Sequence, residues 1–187
     1  MSPAPITMRT RWIGAGIVLA AILSQAFWLG LPGILLSVAL LVSYGLWIST
    51  PWHVAPRLRG AFALAILVFL GHAVEEFLTG FQQALPALFG LGPWPDRQYL
   101  LFNGAWALIF CMVAVAVRPV RRLPVLIILF FAVAGGVGNG VLHLLLVLQR
   151  GTYFPGAWTA PFCLGVGIWL LRLLYTPARF ETGLTSR

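Results

Sequence analysis

The chain has 187 residues, of which 60% are hydrophobic and only 9% are charged, and its mean hydropathy is +0.95. A soluble domain carries about 25% charged residues, so this composition excludes an ordinary soluble enzyme, a disordered chain and a nucleic-acid-binding module. The net charge of +8 comes from twelve arginines scattered between long apolar runs. That distribution indicates the topology signals of a multi-pass membrane protein and not a phosphate-binding face.

Six stretches are long and apolar enough to span a bilayer, since a spanning helix needs about 20 apolar residues. Proline and glycine in the connections end these spans or shape the turns between them. We therefore predict an all-α, polytopic bundle of six transmembrane helices that forms one integral membrane domain over residues 1–187. The predicted helices cover, in chain order, about 12–31, 34–50, 61–81, 98–117, 125–148 and 158–175.

The arginines also predict the orientation of the bundle. If the N-terminus lies in the cytoplasm, ten arginines fall in cytoplasmic segments, and only Arg97 and Arg150 fall in outside loops. This split follows the rule that cytoplasmic loops collect positive charge. We therefore expect both termini in the cytoplasm. The use of arginine without lysine, with abundant alanine and glycine, is typical of a GC-rich bacterial genome, so the inner membrane of a bacterium is the expected location.

The strongly polar side chains inside the predicted spans share one depth. Counted from the outer ends at about 1.5 Å per residue, all of them fall in the outer half of the bilayer, within roughly one helical turn. They are His72, Glu75 and Glu76 on the third span, Asn103 on the fourth, and Asn139 and His143 on the fifth. Because helix positions three or four apart share a face, we expect these groups to converge.

Two adjacent carboxylates in this setting need compensation. Burying a charged group at a helix centre costs about 2.5–3.5 kcal/mol, and neighbouring acids repel each other. Glu75 and Glu76 must therefore be protonated, paired or bound to a cation. A divalent ion held by His72, His143 and one of the two glutamates meets this requirement. Two histidines with a carboxylate suit Zn²⁺ or non-haem Fe²⁺, and the pattern leaves open which glutamate is the ligand.

Two hypotheses about function follow from this set. The first is a metal-dependent hydrolase within the membrane that acts on a lipid-like or membrane-resident substrate. In it, the glutamate that is not a ligand is the general base, and Asn103 and Asn139 orient ligands or polarise a substrate carbonyl. The alternative is a proton- or ion-coupled transporter in which Glu75 and Glu76 titrate and His72 relays protons. A purely structural cluster is disfavoured, since polar contacts between membrane helices contribute only about 0.6 kcal/mol on average.

Three short motifs follow one another along the chain. They read His72-Ala-Val-Glu75-Glu76, Asn139-Gly-Val-Leu-His143 and Tyr153-Phe-Pro155-Gly156. Together they resemble the HXXEE family of bacterial integral membrane proteins, and the likeness runs roughly from the third to the sixth predicted span. That family is functionally uncharacterised, so the resemblance implies a polar site within the membrane but no particular reaction. The third motif is expected either to cover the site or to be an ordinary turn.

Overall fold

A computed structural model of the protein describes residues 6–50, 52, 54, 57–117 and 122–175. Over these residues the fold is all-helical, with seven helices and no strand. The helices are α1 (Met8–Leu29), α2 (Gly33–Ser49), α3 (Leu58–Thr79), α4 (Phe81–Ala87), α5 (Asp96–Ala116), α6 (Leu123–Arg150) and α7 (Ala160–Tyr175). The chain ends, residues 1–5 and 176–187, for which a cytoplasmic location is predicted, lie outside the described residues.

Four of the helices, α1, α3, α5 and α6, are long and apolar enough to cross a membrane. The helices α2 and α7 are also apolar but shorter, with 17 and 16 residues. Each of these six helices overlaps one predicted span. The prediction of an all-helical chain with helices able to span a membrane is therefore confirmed, whereas the count of six spans depends on the two shorter helices.

Large apolar side chains cover the outside of the helices. Phe27 on α1 is 84% exposed, Leu78 on α3 is 75% exposed, and Leu148 on α6 is 78% exposed. Soluble monomers rarely expose contiguous apolar patches larger than a few hundred Å². Such an apolar outer surface is compatible with a membrane protein.

The connection between α3 and α5 is compact. Gly80, which ends α3, has a left-handed backbone with φ of 86°, and α4 follows directly. The Trp94 N–H donates to the Gln82 carbonyl at 2.9 Å, and the Gln82 side chain donates to Asp96 Oδ1 at 3.0 Å. The sequence predicts an interfacial or re-entrant segment over 82–97; the structure shows a short helix and a folded-back turn there, and its location relative to a membrane stays a prediction.

The winding of α6 changes in its middle. Phe131–Gly138 is π-helical and lies between two α-helical parts. In this segment a Cβ on Gly136 would lie 2.5 Å from Gly167 Cα of α7, and just after it a Cβ on Gly140 would lie 2.9 Å from the Ala160 carbonyl oxygen. The two helices thus touch backbone to backbone. This contact fixes the position of the last part of α6, and π-helical turns within α-helices often mark functional sites.

A substitution at the α6–α7 contact tests this packing. Gly136→Ala is expected to lower the temperature of thermal unfolding, because the new Cβ meets the α7 backbone and forces the helices apart. Overpacking of this kind typically costs about 1–3 kcal/mol. In the control Gly165→Ala, no atom of a neighbouring element lies within 4 Å of the new Cβ. The unfolding temperature of this variant should therefore equal or exceed that of the unchanged protein. Unfolding of both variants in one detergent checks the prediction, and equal temperatures would contradict it.

Candidate functional site

Three buried side chains converge on one point. Glu76 Oε1 lies 3.3 Å from His72 Nε2 and 3.1 Å from His143 Nε2. His72 and Glu76 stand one turn apart on α3, and His143 enters from the last part of α6. The exposed fractions are 1% for His72, 6% for Glu76 and 0% for His143. One candidate ligand atom from each residue lies within 4.8 Å of the others. We call these three residues the His–Glu–His cluster.

The neighbouring carboxylate, Glu75, faces the segment 151–159 and not the cluster. It accepts four hydrogen bonds, whose donors are the Tyr153 hydroxyl (2.6 Å), the Trp158 N–H (3.0 Å), the Thr159 N–H (2.8 Å) and the Thr159 hydroxyl (2.5 Å). Two of these donors are backbone amides just before α7, where the start of a helix favours an anion. Glu75 thereby anchors the connection between α6 and α7 to α3.

Tyr153 is a donor in this arrangement. Partial burial raises the pKa of the Tyr153 hydroxyl above its ordinary value, and the hydrogen bond to Glu75 acts in the same direction. The hydroxyl therefore keeps its proton at neutral pH and donates a hydrogen bond to the carboxylate.

The Thr159 hydroxyl links Glu75 to His72. Its single proton goes to Glu75 Oε2, so its oxygen accepts the hydrogen of His72 Nδ1 at 2.7 Å. In a neutral His72 this assigns the proton to Nδ1 and leaves the lone pair on Nε2. Among the described residues that buried Nε2 has no hydrogen-bond partner. Metal-binding histidines are fixed in this way, with the second ring nitrogen bonded to a partner outside the metal site.

Two of the three separations within the His–Glu–His cluster are those expected around one divalent ion. Zn²⁺ binds nitrogen at about 2.0–2.1 Å and oxygen at about 2.0–2.2 Å, so two ligands of a tetrahedral ion lie roughly 3.4 Å apart. The distances of 3.3 and 3.1 Å from Glu76 Oε1 are close to this value. Without a cation or proton between them, the Nε2 lone pair of His72 and the carboxylate oxygen face each other in a buried place, which is unfavourable.

The other oxygen of Glu76 is bound from α5. The Tyr99 hydroxyl donates to Glu76 Oε2 at 2.7 Å and lies 3.0 Å from the Ala73 carbonyl oxygen. One turn further along α5, the Asn103 side chain donates to the Tyr99 carbonyl at 3.1 Å. Tyr99 is itself buried, so it holds the Glu76 carboxylate in one orientation.

A cavity of about 500 Å³ adjoins the cluster. Ligand cavities usually measure about 300–1,000 Å³. Glu76 and Tyr99 line this cavity together with Asn103 and Asn139, and the rest of the lining is almost entirely apolar. The cavity therefore reaches the cluster through Glu76, and the two histidines lie behind that carboxylate.

Gly156 closes the cluster on the side of the 151–159 segment. Its φ is +90°, and a Cβ there would lie 2.6 Å from His143 Cε1 and 2.9 Å from both Glu76 Cγ and His72 Cε1. Phe154, fully buried, packs with its ring centroid 5.7 Å from that of His143. Only glycine fits this place, and the third motif of the sequence covers the site.

The structure brings together most of the residues singled out in the sequence. His72, Glu76 and His143 form the cluster, and Asn103 and Asn139 line the cavity beside it. Glu75 lies outside the cluster, because its two oxygens are engaged by the segment before α7.

Sequence reasoning missed Tyr99 and Thr159, which bind Glu76 and His72. Tyr99 stands one turn before Asn103 on α5, so helical spacing from Asn103 points to it. Thr159 carries no comparable signal, because it lies in an irregular segment whose path follows no period.

The closure by Gly156 can be tested with a matched pair of glycines. Gly156→Ala is expected to displace the 151–159 segment, because the new Cβ would overlap atoms of all three cluster residues. Gly151→Ala has a similar positive φ of +66° but no atom within 4 Å of its Cβ, so it shares the backbone strain alone. Hydrogen exchange at the Trp158 and Thr159 amides should rise much more for Gly156→Ala, and equal exchange in the two variants would contradict the closure.

A family model matches residues 63–170 and describes a protein of unknown function with an HXXEE motif. The match covers more than half of the chain and contains the whole His–Glu–His cluster. No match is found among curated proteins or among solved structures. The chain belongs to the HXXEE-motif family, whose function is unknown.

Proposed function

We propose that the protein is a metal-dependent enzyme embedded in a membrane, a hydrolase that acts on a lipid-like substrate. The observation that carries the proposal is the convergence of two histidine Nε2 atoms on one oxygen of Glu76 beside an apolar cavity. The ion is Zn²⁺ or Fe²⁺, for which two histidines and a carboxylate are a suitable set.

The proposal includes six membrane spans, with both termini in the cytoplasm of a bacterium and the chain in the inner membrane. The arginine distribution supports the orientation. The helix α2, with 17 residues, reaches the lower limit of about 17 residues for a spanning helix. The segment before α7 continues the chain to Trp158, which is 77% exposed and suits the boundary between lipid and water.

In this scheme His72, Glu76 and His143 hold the ion. When bound, such an ion polarises a carbonyl group and activates water at neutral pH. Tyr99 orients Glu76 through its hydrogen bond, and Asn139 and Asn103 contact the substrate from the cavity wall.

Glu75 takes a positioning role in place of the general-base role expected from the sequence. Its four hydrogen bonds support this assignment, since a carboxylate held by four donors is a poor proton acceptor. Through Thr159 it directs the Nε2 lone pair of His72 toward Glu76.

The alternative, a proton- or ion-coupled transporter, has less support. Such proteins place polar groups along a path through the membrane or at its middle. Among the described residues of this chain, the buried ionisable groups of the site gather near one end of α3, where Glu76 stands three residues before the end of the helix at Thr79.

Metal analysis of substituted proteins tests the proposal. Protein purified without chelator is expected to carry about one Zn or Fe ion per chain, measured by inductively coupled plasma mass spectrometry. Glu76→Gln and His143→Gln should lose the ion, because each removes one of the three proposed ligands. Glu75→Gln should keep the three ligands but bind the ion about 10–100-fold more weakly, as is usual when a residue that supports a metal ligand through hydrogen bonds is removed.

Asp96→Asn is the matched control, since Asp96 is an acid outside the cluster and bonds to Gln82. It should retain the full metal content. Folded wild-type protein without metal, or Glu76→Gln with unchanged metal content, would contradict the proposal. Proton or ion flux into proteoliposomes by the metal-free protein would instead favour the transporter.

A further inference from the structure

The cavity beside the cluster changes in polarity along its length. Its polar end lies where α3 finishes and α5 begins, with Glu76 and Tyr99 three residues from those helix ends. Asn103 follows one turn deeper. The far end is aromatic and is lined by Phe69, Trp106, Phe110 and Phe130. An amphiphile in the adjacent leaflet of a bilayer has the same order, with its polar group near the surface and its chain toward the middle.

The dimensions of the cavity suit one acyl chain. The lining residues of α5 run from Tyr99 to Phe110, which at 1.5 Å per residue is a depth of about 16 Å. A group as small as a water molecule occupies about 30 Å³. The cavity volume of about 500 Å³ therefore holds one acyl chain of moderate length. Two full-length acyl chains side by side exceed this space.

The cavity opens sideways between α2 and the last part of α6. Leu35, Val141 and Leu145 line it and are 45%, 40% and 56% exposed. The helix α2 packs against Leu123–Phe130 and the π-helical segment of α6, which leaves these three side chains beyond the main contact. The mouth therefore faces the apolar outer surface, which the proposed membrane placement turns toward lipid.

The charge of the lining restricts the polar end of a ligand. Glu76 is the one acidic side chain in the lining, and no arginine or histidine of the described residues lines the cavity. A carboxylate or phosphate in the cavity would meet the Glu76 carboxylate first and would find no cationic side chain in the described lining, which is unfavourable in an apolar place. A hydroxyl group can instead donate to Glu76 or to the Asn103 and Asn139 amide oxygens and accept from the amide groups.

We propose that the cavity binds a single-chain lipid with an uncharged, hydrogen-bonding polar end, of the monoacylglycerol class. The lipid moves in from the leaflet between α2 and α6 and sets its polar end at Glu76 and Tyr99. This inference rests on the proposed function, since it names the substrate class of the same site.

Tryptophan fluorescence gives a direct measurement, because Trp106 lies at the aromatic end of the cavity. The probe is a monoacylglycerol with a dibrominated chain, added to full-length, chelator-treated protein in detergent. Its bromines should quench Trp106 with saturation, and Trp106→Phe should remove most of the saturable part, since the other lining tryptophan, Trp94, lies toward the polar end. The matching brominated fatty acid and brominated diacyl phosphatidylcholine should bind at least tenfold more weakly to the unchanged protein.

Substitutions at two alanines distinguish binding in the cavity from binding at the outer surface. Ala39 lines the cavity, so Ala39→Phe should weaken binding of the probe at least tenfold. Ala105 is exposed on α5 and does not line the cavity, so Ala105→Phe should bind like the unchanged protein. Quenching that never saturates, equal binding of the fatty acid or diacyl lipid, or equal binding by a folded Ala39→Phe protein would overturn the inference.

The outcome can be told apart from that of the metal proposal. Saturable lipid binding by a protein that never carries metal would overturn the proposed hydrolase and leave the lipid site standing. A protein with one metal ion per chain and no saturable binding of the monoacylglycerol would overturn this inference alone.

Discussion

A carboxylate buried in an apolar helix bundle needs partners for both oxygens, and the site of this protein is arranged around that need at Glu76. One oxygen lies 3.3 and 3.1 Å from the Nε2 atoms of two histidines, a place that a shared cation would fill, and the other oxygen accepts a hydrogen bond from the Tyr99 hydroxyl. These partners come from α3, α5 and α6, so the carboxylate links three helices. The close α6–α7 contact at Gly136 matters for the same reason, because it sets where His143 meets Glu76.

Two glutamates that are adjacent in the chain have different environments, because each residue of a helix is rotated by about 100° from the one before it. Glu76 points into the bundle, whereas Glu75 points to the amides before α7. The Thr159 hydroxyl joins the two environments, since it bonds both Glu75 and His72. The motif therefore supplies a buried carboxylate together with a second one that orients a histidine beside it.

Hydropathy and helical spacing in the sequence were enough to predict the helices and the meeting of His72, Glu76 and His143. Counting residues along a span gives the depth of a side chain, but not the direction in which it points around the helix axis. For that reason the sequence left open which glutamate joins the histidines. The partner Thr159 and the covering Gly156 belong to an irregular segment, so no periodic pattern leads to them. The π-helical segment of α6, which touches the α7 backbone at Gly136, was likewise not predicted.

The two sides of the His–Glu–His cluster differ in access, and this bears on the kind of reactant it suits. On the side of the 151–159 segment, Gly156 stands so close that not even one Cβ fits between it and the cluster. On the other side, Glu76 borders the cavity, whose mouth lies among exposed leucine and valine side chains. If the cluster holds an ion as proposed, the open approach to it runs through apolar surroundings and past the Tyr99–Glu76 hydrogen bond. A water-soluble, charged reactant has no favourable route of that kind, whereas an uncharged lipid does.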